Sequence, residues 1–136
     1  RAVGVENADL DAGEVGAHYC PPELNGRRLA RMFVAIVQIP MTKRPRDAAV
    51  DAARKSAPTY TALGAKGLLK KYYLNGDAGG GGVYLWESEA AARAWYTPEW
   101  EKRMAAAFGA TPTVTYYDNH VVVDNEAGKV RIEGES

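Results

Sequence analysis

Apolar residues in this chain gather in short, nearly continuous runs separated by polar or glycine-rich stretches, and three windows carry them at helical spacing instead. Met32 to Ile39 (MFVAIVQI) is broken only by Gln38, too short for a stable helix and apolar on both parities, so it predicts a strand covered on both faces. From Pro45 to about Ala57 the spacing becomes helical. Val50, Ala53 and Ala57 share a face, Asp51 sits four residues before Lys55, Pro45 suits a first turn, and Pro58 and Gly64 close the segment. Leu68 to Leu74 and Val83 to Trp86 are rich in aromatic and aliphatic residues, and the short glycine-rich stretch between them predicts a turn that makes the two strands antiparallel neighbours. Ser88 offers an N-cap oxygen and Glu89 a first-turn negative charge for a helix reaching about Tyr96. Thr97-Pro98 is a fresh cap and first turn, so a second helix starts at once, with Trp100, Met104 and Phe108 as its core stripe and Gly109 as its end. Thr113 to Val123 predicts a last long strand, bent near Asp118-Asn119.

Strand, helix, strand, strand, helices, strand is an α+β order, that of the ferredoxin-like βαββαβ plan, with an antiparallel sheet and its helices on one face. Residues 32–125 form this domain, residues 1–31 read as an irregular N-terminal extension, and residues 126–136 as a polar C-terminal tail. Arg27 to Arg31 ahead of Met32 to Val37 imitates the basic and apolar parts of a signal peptide, but the apolar run stops at Gln38 and Pro40 and reads as a strand. Because Met32 to Ile39 and Val121 to Val123 are apolar on both faces, whereas one layer of helices covers only one, a partner sheet is expected. A homodimer through the sheet face is the simplest solution, and a tail folded across that face is the alternative.

Composition narrows the function classes. The 136 residues carry 17 Lys plus Arg against 17 Asp plus Glu, a balance that gives no field to attract nucleic acid or an anionic membrane. No apolar run approaches a membrane span of about 18 residues. The single cysteine, Cys20, allows neither a disulfide framework nor a thiolate cluster within one chain, which suits a reducing, cytoplasmic setting. With two histidines, His18 in the extension and His120, no metal constellation is legible. The Gly79 to Gly82 run leads into a strand and not a helix, so it lacks the helix N-terminus of a phosphate cradle and reads as a flexible hairpin turn.

The succession Gly67-Leu68-Leu69 with Lys71 and Tyr73, then Gly81-Gly82-Val83-Tyr84-Leu85-Trp86, then Glu89, Ala91, Ala92 and Ala94 resembles the YdhR-like monooxygenases of the dimeric α+β barrel superfamily. The resemblance spans roughly residues 32–125, with Trp86 standing where that family usually has phenylalanine. It implies a homodimer, a ligand cavity between sheet and helices, and cofactor-independent oxidation of a small aromatic or polyketide-like phenol to a quinone by dioxygen. The superfamily also holds cyclases and proteins without known activity, so a cofactor-free cyclase or isomerase and a non-catalytic small-ligand-binding domain stand beside the oxygenase.

Strand parity then supplies candidates: Leu69, Lys71 and Tyr73 share one face of their strand, Tyr84 and Trp86 one face of theirs. A cofactor-free oxygenase must form an electron-rich anion and stabilise its charge. His120 is the one base of the domain that ordinarily titrates near neutrality, and Lys71 is a cation suited to a phenolate. The expected catalytic set is therefore His120, Lys71 and Trp86, with Tyr73, Tyr84, Tyr96 and Trp100 lining the substrate site. For the aromatics the competing reading is plain core, and for Lys71 a side chain that reaches out to solvent.

Overall fold

The computed structural model describes residues 32–135; the predicted extension, with His18 and Cys20, lies outside the described residues. Strand β1 (Phe33–Ile39) leads to helix α1 (Arg46–Ala62), a 3-10 turn (Leu63–Lys66) and the antiparallel pair β2 (Leu68–Gly76) and β3 (Gly79–Trp86). Helices α2 (Glu89–Trp95) and α3 (Pro98–Phe108) follow, then β4 (Thr113–Asp118), β5 (Val121–Asp124) and β6 (Lys129–Ile132). The protein is thus α+β, with a four-stranded antiparallel sheet in the order β2-β3-β1-β4 and a separate β5-β6 pair.

Side-chain parity splits the sheet. Phe33, Ala35, Val37 and Ile39 of β1, with Tyr84 and Trp86 of β3, are buried in one cluster with Tyr60 of α1, Ala91, Ala92 and Trp95 of α2, and Trp100 and Met104 of α3. All three helices therefore cover one face. Trp86, Trp95 and Trp100 are its largest fully buried side chains. Each removes roughly 150–250 Å² of mainly apolar surface from water, a gross gain of about 4–6 kcal/mol apiece. The opposite face carries cross-strand rows, Tyr117-Val34-Leu85-Lys70 and Thr115-Ile36-Val83-Tyr72, in which Tyr72 and Tyr117 are 58% and 52% exposed.

Both short helices begin where the sequence signals them: Ser88 Oγ accepts from Ala91 N at 3.1 Å and Thr97 Oγ1 from Trp100 N at 3.1 Å. Gly109, at φ 73°, closes α3 in the left-handed conformation that favours glycine. Helix α1 differs from expectation, for it runs through Pro58 to Ala62 and buries Ala52, Ser56 and Tyr60 instead of the stripe through Val50, Ala53 and Ala57. An internal proline costs a helix about 3 kcal/mol. Burying Tyr60 and Leu63, each worth roughly 1.5–3 kcal/mol or more, is enough to offset it.

Two further expectations are corrected. The Gly79–Gly82 run is strand and not turn: Gly80 faces Ile39 and Asn75, Gly82 faces Val37 and Tyr73, and the reversal is confined to residues 77–78. The last strand is two. After Asp118 the chain leaves the sheet, Asn119 N bonds Met32 O, and Val121–Asp124 pairs with Lys129–Ile132, so part of the predicted polar tail is a strand. Alternation explains it, because Val121, Val123, Val130 and Ile132 all lie on one face of that ribbon, exposed, while Val122 and Arg131 lie on the other. The Asp124 carboxyl is held below the usual range by the Ala127 backbone N–H and then by Arg131. Among the described residues no helix is long and apolar enough to cross a membrane.

Replacing Thr97 by alanine removes the oxygen that satisfies Trp100 N. The expected loss is about 1 kcal/mol of unfolding free energy in urea titration, with the α-helical signal at the start of the transition kept. An unchanged midpoint would mean the cap contributes nothing.

Candidate functional site

Between the covered face of the sheet and helices α1 and α3 lies a cavity of about 260 Å³. Its walls come from five elements: Val37 and Ile39 of β1, Ala52 and Tyr60 of α1, Lys71 and Tyr73 of β2, Gly80 and Tyr84 of β3, and Met104 and Phe108 of α3. The lining is mostly apolar and aromatic, with polar atoms entering chiefly from β2.

Lys71 dominates its electrostatics. A bulge between Leu68 and Lys70 resets parity, so that Lys71 and Tyr73 pair opposite Tyr84 and Gly82 and point to the helix side, while Lys70 and Tyr72 point away. The Lys71 Nζ lies 3.4 Å from the centroid of the Tyr60 ring, 3.8 Å from that of Tyr73 and 4.9 Å from that of Tyr84. Three ring faces around one ammonium replace part of the water it gives up, at about 0.5–2 kcal/mol per good contact. The phenol oxygens have their own partners: Tyr73 Oη and Ser56 Oγ are 2.8 Å apart, and Ser56 is wholly buried. Burial, and then the neighbouring Tyr84, push the Tyr60 phenol well above its ordinary value. Tyr60 is therefore a neutral hydrogen-bond donor at any physiological pH and not a base.

The mouth is held by the backbone. Arg44 N donates to Asn75 Oδ1 at 2.9 Å and Asn75 Nδ2 donates to Arg44 O at 3.0 Å, which ties the β1-α1 loop to the end of β2. Met41, from the same loop, lies against Gly80.

Of the expected site residues, Lys71, Tyr73 and Tyr84 come together in this cavity. Trp86 does not reach it: its ring is fully buried in the core, and Nε1 donates to Tyr96 Oη at 3.2 Å. Tyr96 and Trp100 line a different groove, beside Thr113 and Tyr116, at the N-terminal end of α3. Burial raises the Tyr96 phenol too, with Tyr84 adding to it, so it also stays protonated. His120 stands outside. It sits beyond the end of β4, where Asp118 pairs with Phe33, whereas the cavity is built around Val37 and Ile39 at the other end of β1. There its exposed ring pairs with Glu133, and it reaches no cavity-lining residue through any hydrogen bond or ion pair found for it. Tyr60, Met41, Arg44 and the glycines of β3 are the residues that sequence reasoning missed. Ending α1 at Pro58 left Tyr60 in a loop, although a four-residue step through Ala52, Ser56 and Tyr60 was present.

Fold and cavity together define an α+β protein with a tyrosine-lined cavity that has Lys71 among its rings and Arg44 at its rim. Comparison of the chain with protein-family models, with curated proteins and with solved structures found no match. Among the described residues no group of three or more His, Cys, Asp or Glu is arranged to hold a metal ion.

The Glu133 hydrogen bond, and then its charge, raise the His120 imidazole above its ordinary value. A raised folded-state value means stabilisation that is complete below the unfolded value and lost as pH rises through the folded one. NMR titration of His120 should give a midpoint above 6.5, and Glu133→Gln should bring it back toward that value. Identical midpoints in the two proteins would remove the pair from the account.

Proposed function

We propose that the cavity binds a small planar phenol and that the protein is a cofactor-independent monooxygenase converting it to a quinone. The observation that carries this reading is the Lys71 ammonium set among Tyr60, Tyr73 and Tyr84 in a cavity whose other walls are mainly apolar. A cation in such surroundings favours the phenolate over the phenol, because the rings and apolar walls leave Lys71, which is only half-buried, less solvated than a surface lysine. The phenol proton passes to water at the mouth. The electron-rich ring carbon then bonds to dioxygen, the peroxide so formed takes up a proton, and loss of the carbon-bound hydrogen with cleavage of the O–O bond leaves a carbonyl and releases water. One oxygen atom enters the product and the other leaves as water, so the substrate itself supplies every electron. Tyr60, held neutral, exchanges its hydrogen bond with Tyr84 for one to the developing oxyanion. His120 takes no part, given its place beside Glu133.

The same reading includes the ferredoxin-like βαββαβ plan and the dimer. The element order and the sheet order β2-β3-β1-β4 support the plan. The exposed rings of Tyr72 and Tyr117 and the apolar side of the β5-β6 ribbon support a face-to-face homodimer, since exposed apolar surface of this extent is seldom left to water. A reducing, cytoplasmic setting agrees with a single cysteine.

Oxygen uptake with a panel of hydroquinones and naphthols tests the reaction. The wild-type protein, free of metal and flavin, should consume oxygen above the no-protein rate, and Lys71→Met should lower kcat/KM by about a hundredfold or more. Turnover that proceeds equally under nitrogen would make the protein a cyclase or isomerase, and a Lys71→Met variant with wild-type rates would remove Lys71 from the mechanism. For assembly, analytical ultracentrifugation should give twice the 14.7 kDa chain mass, and Tyr72→Asp should shift it toward the monomer. A concentration-independent monomer in the wild type would end the dimer proposal.

A further inference from the structure

The protein as a whole balances 17 basic against 17 acidic residues, but its cavity does not share that balance. Lys71 and Arg44 both line it, and among the described lining residues none is an aspartate or a glutamate. The phenol proposed above accounts for Lys71 and not for Arg44. Arg44 is half-buried, whereas Lys43 before it and Arg46 after it are exposed. Its main chain is fixed by the two hydrogen bonds to Asn75. Asn75 stands four residues along β2 from Lys71, so at about 3.3 Å per residue the two cations are rooted about 13 Å apart. Helix α1 repeats that separation: the Lys71 ammonium lies against Tyr60, in the last turn of the helix, and Arg44 precedes its first turn. The walls shared with Val50, Ala53, Met104 and Phe108 carry no charge. A ligand complementary to this lining is apolar in its middle and anionic at both ends.

We propose that Arg44 is a specificity-determining residue that takes a carboxylate, and that the ligand of the cavity is a phenol carrying a carboxylate at the end away from its hydroxyl. The guanidinium presents five N–H donors in a planar fork, enough to meet both carboxylate oxygens while keeping bonds to the protein. A carboxylate also brings one negative charge to one cation, where a phosphate ester would bring nearly two. With the carboxylate held at the rim, the hydroxyl end of the ring is directed inward to Lys71, and the carboxylate itself passes through the reaction unchanged. The inference rests on the proposed phenol site and deepens it, from any small phenol to an acidic one.

The test uses binding and needs no turnover. Affinities of the intact protein for 4-hydroxybenzoate, 4-hydroxyphenylacetate and 3-(4-hydroxyphenyl)propanoate, and for the neutral carboxamide of each, are measured by calorimetry. In the wild type, the acid whose length spans the two cations should bind about tenfold tighter than its own amide. Arg44→Met should erase that preference, weakening the acid about tenfold and leaving the amide within about twofold, and Arg44→Lys, which keeps the charge and loses the planar fork, should fall between. Lys71→Met should weaken acid and amide by a similar factor. Arg46→Met is the control for charge alone: Arg46 is exposed, pairs with Asp47 and does not line the cavity, so the substitution should change neither. Amides that all bind as tightly as their acids, with a dependence on Lys71, overturn the carboxylate anchor and leave the phenol site standing. A preference for the acid that survives Arg44→Met and is lost in Lys71→Met assigns the carboxylate to Lys71 and overturns both readings. Failure of every one of these compounds to bind the wild type overturns both as well.

Discussion

The two-sided pairing of β3 is the constraint on which the rest of the structure depends. Trp86 stands opposite Phe33 on one flank and Leu68 on the other, and from that anchor the register runs to Gly80 opposite Ile39 and Asn75. One end of the strand is filled by one of three fully buried tryptophan rings and the other by glycines. The sheet is therefore thick where α2 packs and thin where the cavity opens. A slip of one residue would put Tyr84 and Trp86 on the uncovered face and take both rings away from the helices.

The contrast along β3 is matched on α1. Its buried stripe of Ala52, Ser56 and Tyr60 passes from a methyl through a hydroxyl to a ring, so the helix stands over the glycines without filling the space and closes down over Tyr84 and Trp95. The Ser56 hydroxyl fixes Tyr73 from one side, and the ring of Tyr60 meets that of Tyr73 edge-on, with centroids 6.1 Å apart. Lys71 is thus held by groups that are themselves held, which separates a preorganised cation from a lysine lying against an aromatic surface.

The helices α2 and α3 were legible in the sequence because their caps are local: Ser88 and Thr97 act on amides three residues away. The strands β1 to β3 were legible from their apolar runs. What escaped was set by distant groups. Pro58 reads locally as a stop, and only the burial of Tyr60 and Leu63 carries α1 past it. The glycines read locally as a turn, and only pairing with β1 and β2 makes them a strand. Strand alternation found Lys71, Tyr73 and Tyr84. It did not show the bulge between Leu68 and Lys70, which leaves no mark in composition; chemical type alone nominated His120 and a shared strand face with Tyr84 nominated Trp86, and neither lines the cavity.

The clasp at the cavity mouth joins Asn75 to the main chain of residue 44 and not to its side chain. Both hydrogen bonds survive any replacement of Arg44 other than proline that keeps the backbone path, whereas no residue but asparagine offers at position 75 this short amide with one donor and one acceptor facing a peptide unit. Shape and chemistry at the entrance are consequently inherited through separate positions. A lineage could recharge the rim at residue 44, and so retune which molecules are drawn in, while the opening itself kept its width.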